Sequence, residues 1–167
     1  MKVYIAAPYA LRDVLRQAYL PQLEDAGHTC MSSWLNESVP IGSTTTGSAP
    51  GVADLQAQAH VDQDIADVLS SDALVLVTWR QAALLSPKAV THPNSGGRHV
   101  ETGMALVMRT PVVVWGPEPE NIFHRGVDAY LAPSWRSVLD TLADLSTPVR
   151  QGGEPRSAGP ARRTANQ

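Results

Sequence analysis

Short apolar runs alternate along this chain with segments of helical periodicity, and that alternation limits the fold more than any other feature. Lys2 to Ala7, His28 to Trp34, Ala73 to Trp79 and Val112 to Trp115 read as strands. Between the first two, Leu11, Val14, Leu15, Ala18 and Leu23 recur at helical spacing until Gly27 stops the helix. From Ala53 a second helix is expected, with Leu55, Ala59, Ile65, Ala66 and Leu69 facing inward and Ser70-Ser71-Asp72 closing it. Val127 to Leu131 is the expected edge strand. Ser134 is the expected N-cap of a last helix carrying Trp135, Val138, Leu139 and Leu142.

A strand–helix–strand order calls for right-handed crossovers and parallel pairing. The predicted fold is therefore α/β: a three-layer flavodoxin-like or Rossmann-like domain with a five-stranded parallel sheet in the order 2-1-3-4-5. Ligands of such sheets bind beyond the carboxyl ends of the strands, where the order reverses. The segments after Ala7, Trp34, Trp79 and Trp115 fall at that edge, as do two expected long loops, Asn36 to Val52 and Arg80 to Asn94.

The 167 residues suit one domain, expected over 1–145, with a Gly-, Pro- and Arg-rich tail at 146–167 expected to be disordered. A net charge of -3 gives no argument for a nucleic-acid or membrane partner, and no apolar run approaches a bilayer span. The single cysteine, Cys30, excludes an internal disulfide. With no secretory apolar segment at the start, a cytoplasmic location is expected. His60, His92, His124 and Cys30 have no metal-ligand spacing, so neither a metal nor a cofactor is expected.

The stretch Ser95-Gly96-Gly97-Arg98-His99-Val100-Glu101-Thr102-Gly103 stands out against this background. Paired glycines at a helix mouth offer backbone N–H groups to an anion, and the helix dipole adds partial positive charge. Arg98 adds a forked cationic donor, and Glu101 is expected in the first helical turn. Each feature has a plainer reading: a turn, an ion pair, a dipole partner. Tyr4 is placed near the carboxyl end of the first strand, and Asp64 lies on the helix leading to the third. His99 reads as a general acid or a structural histidine, and Tyr9 and Trp34 as base-stacking or packing residues.

Taken together, Tyr4-Ile5-Ala6-Ala7-Pro8, Asp64-Ile65 with Ser71-Asp72, the glycine stretch through Glu101-Thr102-Gly103, Gly116-Pro117 and Asn121-Ile122-Phe123-His124 resemble the nucleoside 2-deoxyribosyltransferase superfamily. The resemblance spans about residues 1–145. It implies that Glu101 is the catalytic carboxylate at the anomeric carbon and that Tyr4 orients it. Asp64 would contact base or sugar and assist proton transfer. Asn121 would be donated across a subunit interface to the 5′ end of the substrate, with Ala7, Phe123 and His124 lining the pocket. It also implies a homodimer or higher homo-oligomer.

The superfamily's transferases on free nucleosides tend to carry an acid six positions before the glutamate, whereas its nucleotide hydrolases carry a serine. Ser95 holds that place here, beside Gly96, Gly97 and Arg98, which favours a phosphate. The resemblance thus implies cleavage of the N-glycosidic bond of a (deoxy)nucleoside 5′-monophosphate. The alternatives are a deoxyribosyltransferase exchanging bases and a non-catalytic nucleotide sensor.

Overall fold

The computed structural model describes residues 1–36, 52–87, 97–126 and 128–147, with backbone alone at 52–57. Strand β1 (Lys2–Ala6) passes through a 3-10 turn (Tyr9–Leu11) into helix α1 (12–25). This helix starts in α geometry (Arg12–Val14), widens into a π turn (Leu15–Tyr19) and resumes (Leu20–Asp25). The widening lies just ahead of Pro21, which has no N–H for the carbonyl one turn back. Gly27 ends the segment at φ 81°, a conformation suited to glycine. Then come β2 (Thr29–Cys30), a 3-10 turn (Ser33–Asn36), α2 (Val52–Leu69), β3 (Ala73–Val77) and α3 (Trp79–Leu85). Helix α4 (Gly97–Val107), β4 (Val112–Trp115), a 3-10 turn (Ile122–Arg125), β5 (Ala129–Ala132) and α5 (Trp135–Ser146) complete the order.

All five strands join one parallel sheet in the order β2-β1-β3-β4-β5, as the alternation predicts. Every residue of β3 is buried, as a central strand covered on both faces requires. Helices α1 and α5 form one covering layer, where Tyr19 meets Trp115 at 4.8 Å and Trp135 at 5.1 Å between ring centroids. Helices α2 and α4 form the other. Ser134 caps α5 in a reciprocal box with Ser137. No helix among the described residues is long and apolar enough to cross a membrane.

Several expectations are corrected. Strand β2 is two residues long rather than running to Trp34. Past Met31 the side chains take over the ladder: Ser32 Oγ accepts from Ile5 N at 2.6 Å, and the Trp34 indole donates to the Ile5 carbonyl at 2.9 Å. Strand β3 stops at Val77, because Thr78 caps a new helix by accepting from Gln81 N at 3.3 Å. Trp79–Leu85 is therefore helical, not strand end and loop. The edge strand is Ala129–Ala132 rather than Val127 to Leu131.

Helix α2 also faces the other way. Ala59, Ile65, Ala66 and Leu69 are exposed, while Asp67 and Val68 are buried and Asp64 is half-buried. Asp67 earns its inward place by accepting from Ser33 N at 2.9 Å and from Gln63 Nε2 at 2.8 Å. The Leu55 side chain, residues 37–51 of the first expected loop, 88–94 of the second and the tail from residue 148 lie outside the described residues.

Candidate active site

The hydroxyl of Tyr4 stands between two carboxylates. Tyr4 belongs to β1, next to β3 in the middle of the sheet, and its side chain rises toward α4 and α2. Its Oη donates to Glu101 Oε1 at 2.8 Å and lies 3.4 Å from Asp64 Oδ1. A phenol has one proton, so the shorter contact is the donated one. The three residues expected to act together are thus brought together, from β1, α2 and α4.

Glu101 occupies the second turn of α4, not the first, because the helix already begins at Gly97. A carboxylate there gains little from the helix dipole. Burial instead raises its pKa to about 7; the Tyr4 hydrogen bond pulls it down and the charge of Asp64 pushes it up again. Tyr4 is moved well above the usual phenol range, by burial first and then by the two carboxylates. It remains a protonated donor at any physiological pH. The arrangement offers one carboxylate that exchanges its proton near neutrality, one oriented donor on it, and a second carboxylate beside both.

The anion-binding features are less uniform. Ser95 and Gly96 lie outside the described residues. Gly97 is exposed at the start of α4. Arg98 is only 7% exposed. Its Nη1 donates to the Val77 carbonyl at 3.1 Å, its Nη2 lies 3.7 Å from Glu120 Oε2, and its guanidinium lies 5.2 Å from the centre of the Trp79 ring. Ala7 is half-buried against the core at the end of β1.

Asn121 and Phe123 fall elsewhere. The Asn121 carboxamide oxygen accepts from Phe123 N at 2.9 Å and from His124 N at 3.2 Å, capping the 3-10 turn. Its Nδ2 faces His124 Nε2 at 3.0 Å. With His99, Thr102, Leu106, Phe123 and His124 it lines an apolar groove of about 510 Å³ that Glu101 does not reach. No hydrogen bond among the described residues links Asn121 or Phe123 to Tyr4, Asp64 or Glu101. Burial lowers the pKa of His124, while His99 is exposed. Tyr9 and Trp34 sit 6.1 Å apart between ring centroids.

Two residues escaped the sequence reading. Arg12 donates from Nη1 to Tyr9 Oη at 2.8 Å and lies over the Tyr9 ring, a contact legible only as an i, i+3 pair once the turn is known. Glu120 accepts from Arg80 N at 3.0 Å and faces Arg98, and Glu118 pairs with Arg80. The acidic run after β4 was the available signal.

Solved structures with similar folds exist. The 2-deoxyribosyltransferase of the psychrotolerant bacterium Bacillus psychrosaccharolyticus is 18% identical, with a TM-score of 0.56 over 87% of this chain and 96% of that one. The CMP N-glycosidase BcmB of Clostridium botulinum is 15% identical, with a TM-score of 0.50 over 86% of this chain and 98% of that one. At these identities the likeness establishes a common fold. No protein-family model and no curated protein matches the chain.

Proposed function

We propose that the protein cleaves the N-glycosidic bond of a nucleoside or deoxynucleoside 5′-monophosphate, releasing base and sugar phosphate. The observation that carries this reading is the half-buried Glu101 carboxylate held by Tyr4 with Asp64 alongside. Breaking a C1′–N bond builds positive charge on the sugar and negative charge on the leaving base. Glu101 meets the first, as nucleophile or as stabiliser of the oxocarbenium ion, and Asp64 assists the proton that the base requires. Water then resolves the sugar, returning Glu101 to its starting state. Because Glu101 must be ionised to act, the rate rises with pH through about 7.

A phosphate on the sugar's 5′ carbon is supported by Ser95, Gly96 and the N–H groups opening α4 at Gly97. One structural neighbour carries the name of a CMP N-glycosidase, which fits that substrate class. The other is named for deoxyribosyl transfer, in which a second base replaces water on the same carboxylate-bound sugar. Base exchange is therefore the second reading.

The enzyme is proposed to work as a homo-oligomer. Val61, Ile65 and Leu69 of α2 and Val100 and Val107 of α4 are exposed, with Met108 just beyond, and such a face favours a second copy. In such an assembly Asn121 and Phe123, whose groove lining does not include Glu101, would serve a neighbour's substrate.

The test is incubation with ribo- and deoxynucleoside monophosphates and free nucleosides, with and without an acceptor base. Free base from a monophosphate in water, absent in Glu101→Ala, supports hydrolysis. A new nucleoside or nucleotide formed only with acceptor favours transfer, and binding without either product identifies a sensor.

A further inference from the structure

We propose that Arg98 is a positioning residue for Glu101, clamping the first turn of α4 to the carboxyl end of β3. This rests on the reading of Glu101 as the reacting carboxylate. An arginine that receives a ligand needs terminal nitrogens within reach of it. Here both already face protein groups: Nη1 donates to the carbonyl of Val77, the last residue of β3, at 3.1 Å, and Nη2 is ion-paired with Glu120 at 3.7 Å. Trp79 covers one face of the guanidinium. Its Nε has no partner among the described residues, so the buried cation is held at some cost in unmet hydrogen bonding.

The clamp reaches Glu101 through the helix. Arg98 and Glu101 are one turn apart on the same helix, and Thr102 Oγ1 donates to the Arg98 carbonyl at 2.6 Å. Strands β1 and β3 are adjacent, with Tyr4 opposite Leu74. The helix is therefore pinned to one rigid sheet at two points, Arg98 on β3 and Glu101 on β1. Two such pins fix its rotation about its own axis, and with it the carboxylate's place against Tyr4 and Asp64. Glu120 extends the clamp: its other oxygen accepts from Arg80 N, tying the first turn of α3 and the segment after β4 to the same ion pair.

The test compares Arg98→Met, Arg98→Lys and Glu120→Gln with the wild type in the full chain. The Glu101 carboxyl is titrated by 13C NMR with labelled glutamate, the resonance being assigned from Glu101→Gln. In the wild type it titrates near 7. In Arg98→Met the turn loosens, water reaches the carboxylate, and the midpoint drops by about one pH unit or more toward 4.5. Its kcat falls by about tenfold to a hundredfold, with KM for the monophosphate within about twofold. Arg98→Lys, which keeps the charge but not the fork, recovers part of both, and Glu120→Gln moves both in the same direction by less. A merely structural arginine would lower the melting temperature and leave the titration where it was. An unmoved midpoint in folded Arg98→Met overturns the proposal. So does a KM about tenfold higher for the monophosphate at unchanged kcat, which would make Arg98 a phosphate ligand. If Arg98→Met does not fold, Glu120→Gln decides by the same titration. A wild type without turnover on any nucleotide defeats the functional reading, while the titration still judges the clamp.

Discussion

Tyr4 and Glu101, 97 positions apart in the chain, share a hydrogen bond of 2.8 Å in which the phenol donates to the carboxylate. That bond works against burial, favouring the ionised carboxylate while burial favours the protonated one. It also fixes which oxygen of Glu101 remains for a substrate.

Removing the donor changes both properties. Tyr4→Phe is expected to lower kcat by about tenfold to a hundredfold. It should also move the rising limb of the pH–rate profile upward from about 7, because the one contribution that lowers the Glu101 pKa is gone. A pH–rate series on wild type and variant checks both.

The same carboxylate weakens the fold at high pH. Folded Glu101 keeps its proton to about pH 7, whereas in the unfolded chain it releases it near 4.5. Between those values the folded state binds more protons, so this stabilising contribution is whole below 4.5 and is lost as pH rises through 7. Glu101→Gln, neutral throughout, should be more stable than the wild type at pH 8, by on the order of 2 kcal/mol, and equal to it at pH 4. Its turnover should fall by about a thousandfold or more. Urea midpoints at the two pH values give the comparison.

His28 produces the opposite trend. It is buried at the entry to β2 with neither ring nitrogen partnered among the described residues, and burial lowers its pKa. The unfolded chain therefore binds a proton that the folded one refuses, and stability is lost as pH falls from 6.5 through the depressed value. His28→Leu should flatten that acid limb. Measuring it in the Glu101→Gln background keeps the two trends apart.

Gly116 sits where β4 ends against Thr78. A Cβ there would lie 1.9 Å from Thr78 Oγ1. Thr78 N also donates to the Trp115 carbonyl at 3.0 Å, so neither backbone can yield easily. Gly116→Ala should cost about 2–3 kcal/mol of stability by urea denaturation. It should lower activity as well, since Thr78 sits between the Val77 carbonyl and Trp79, two of the contacts that seat Arg98.

Val107 is 83% exposed at the end of α4. If that face meets a second copy, Val107→Glu buries a charge in the contact and dissociates it. Sedimentation should find an oligomer for the wild type and a monomer for the variant. A wild type that is monomeric at micromolar concentration removes the assembly from the reading.

Three side chains mark where the linear pattern stopped being informative. Arg98 beside two glycines looks like a phosphate donor, yet it lies against Trp79 and faces Val77 and Glu120, partners 21 and 22 positions away. Ser32 and Trp34 alternate as strand residues should, yet their side chains replace the backbone ladder with Ile5. Nothing within α2 indicated that Asp67 would outcompete Ile65 and Leu69 for the interior. Its partner Ser33 lies on another element.

The strand count and the parallel order were readable in one dimension, from periodicity and chain connectivity, which are local properties with few compatible topologies. The grouping of Tyr4, Asp64 and Glu101 was expected from the resemblance of their motifs to a known family. The helix face that turns inward, the fate of Arg98 and the proton affinity of Glu101 were not. Each depends on which distant group desolvates or hydrogen-bonds a given atom, and that is set only when separate elements pack together.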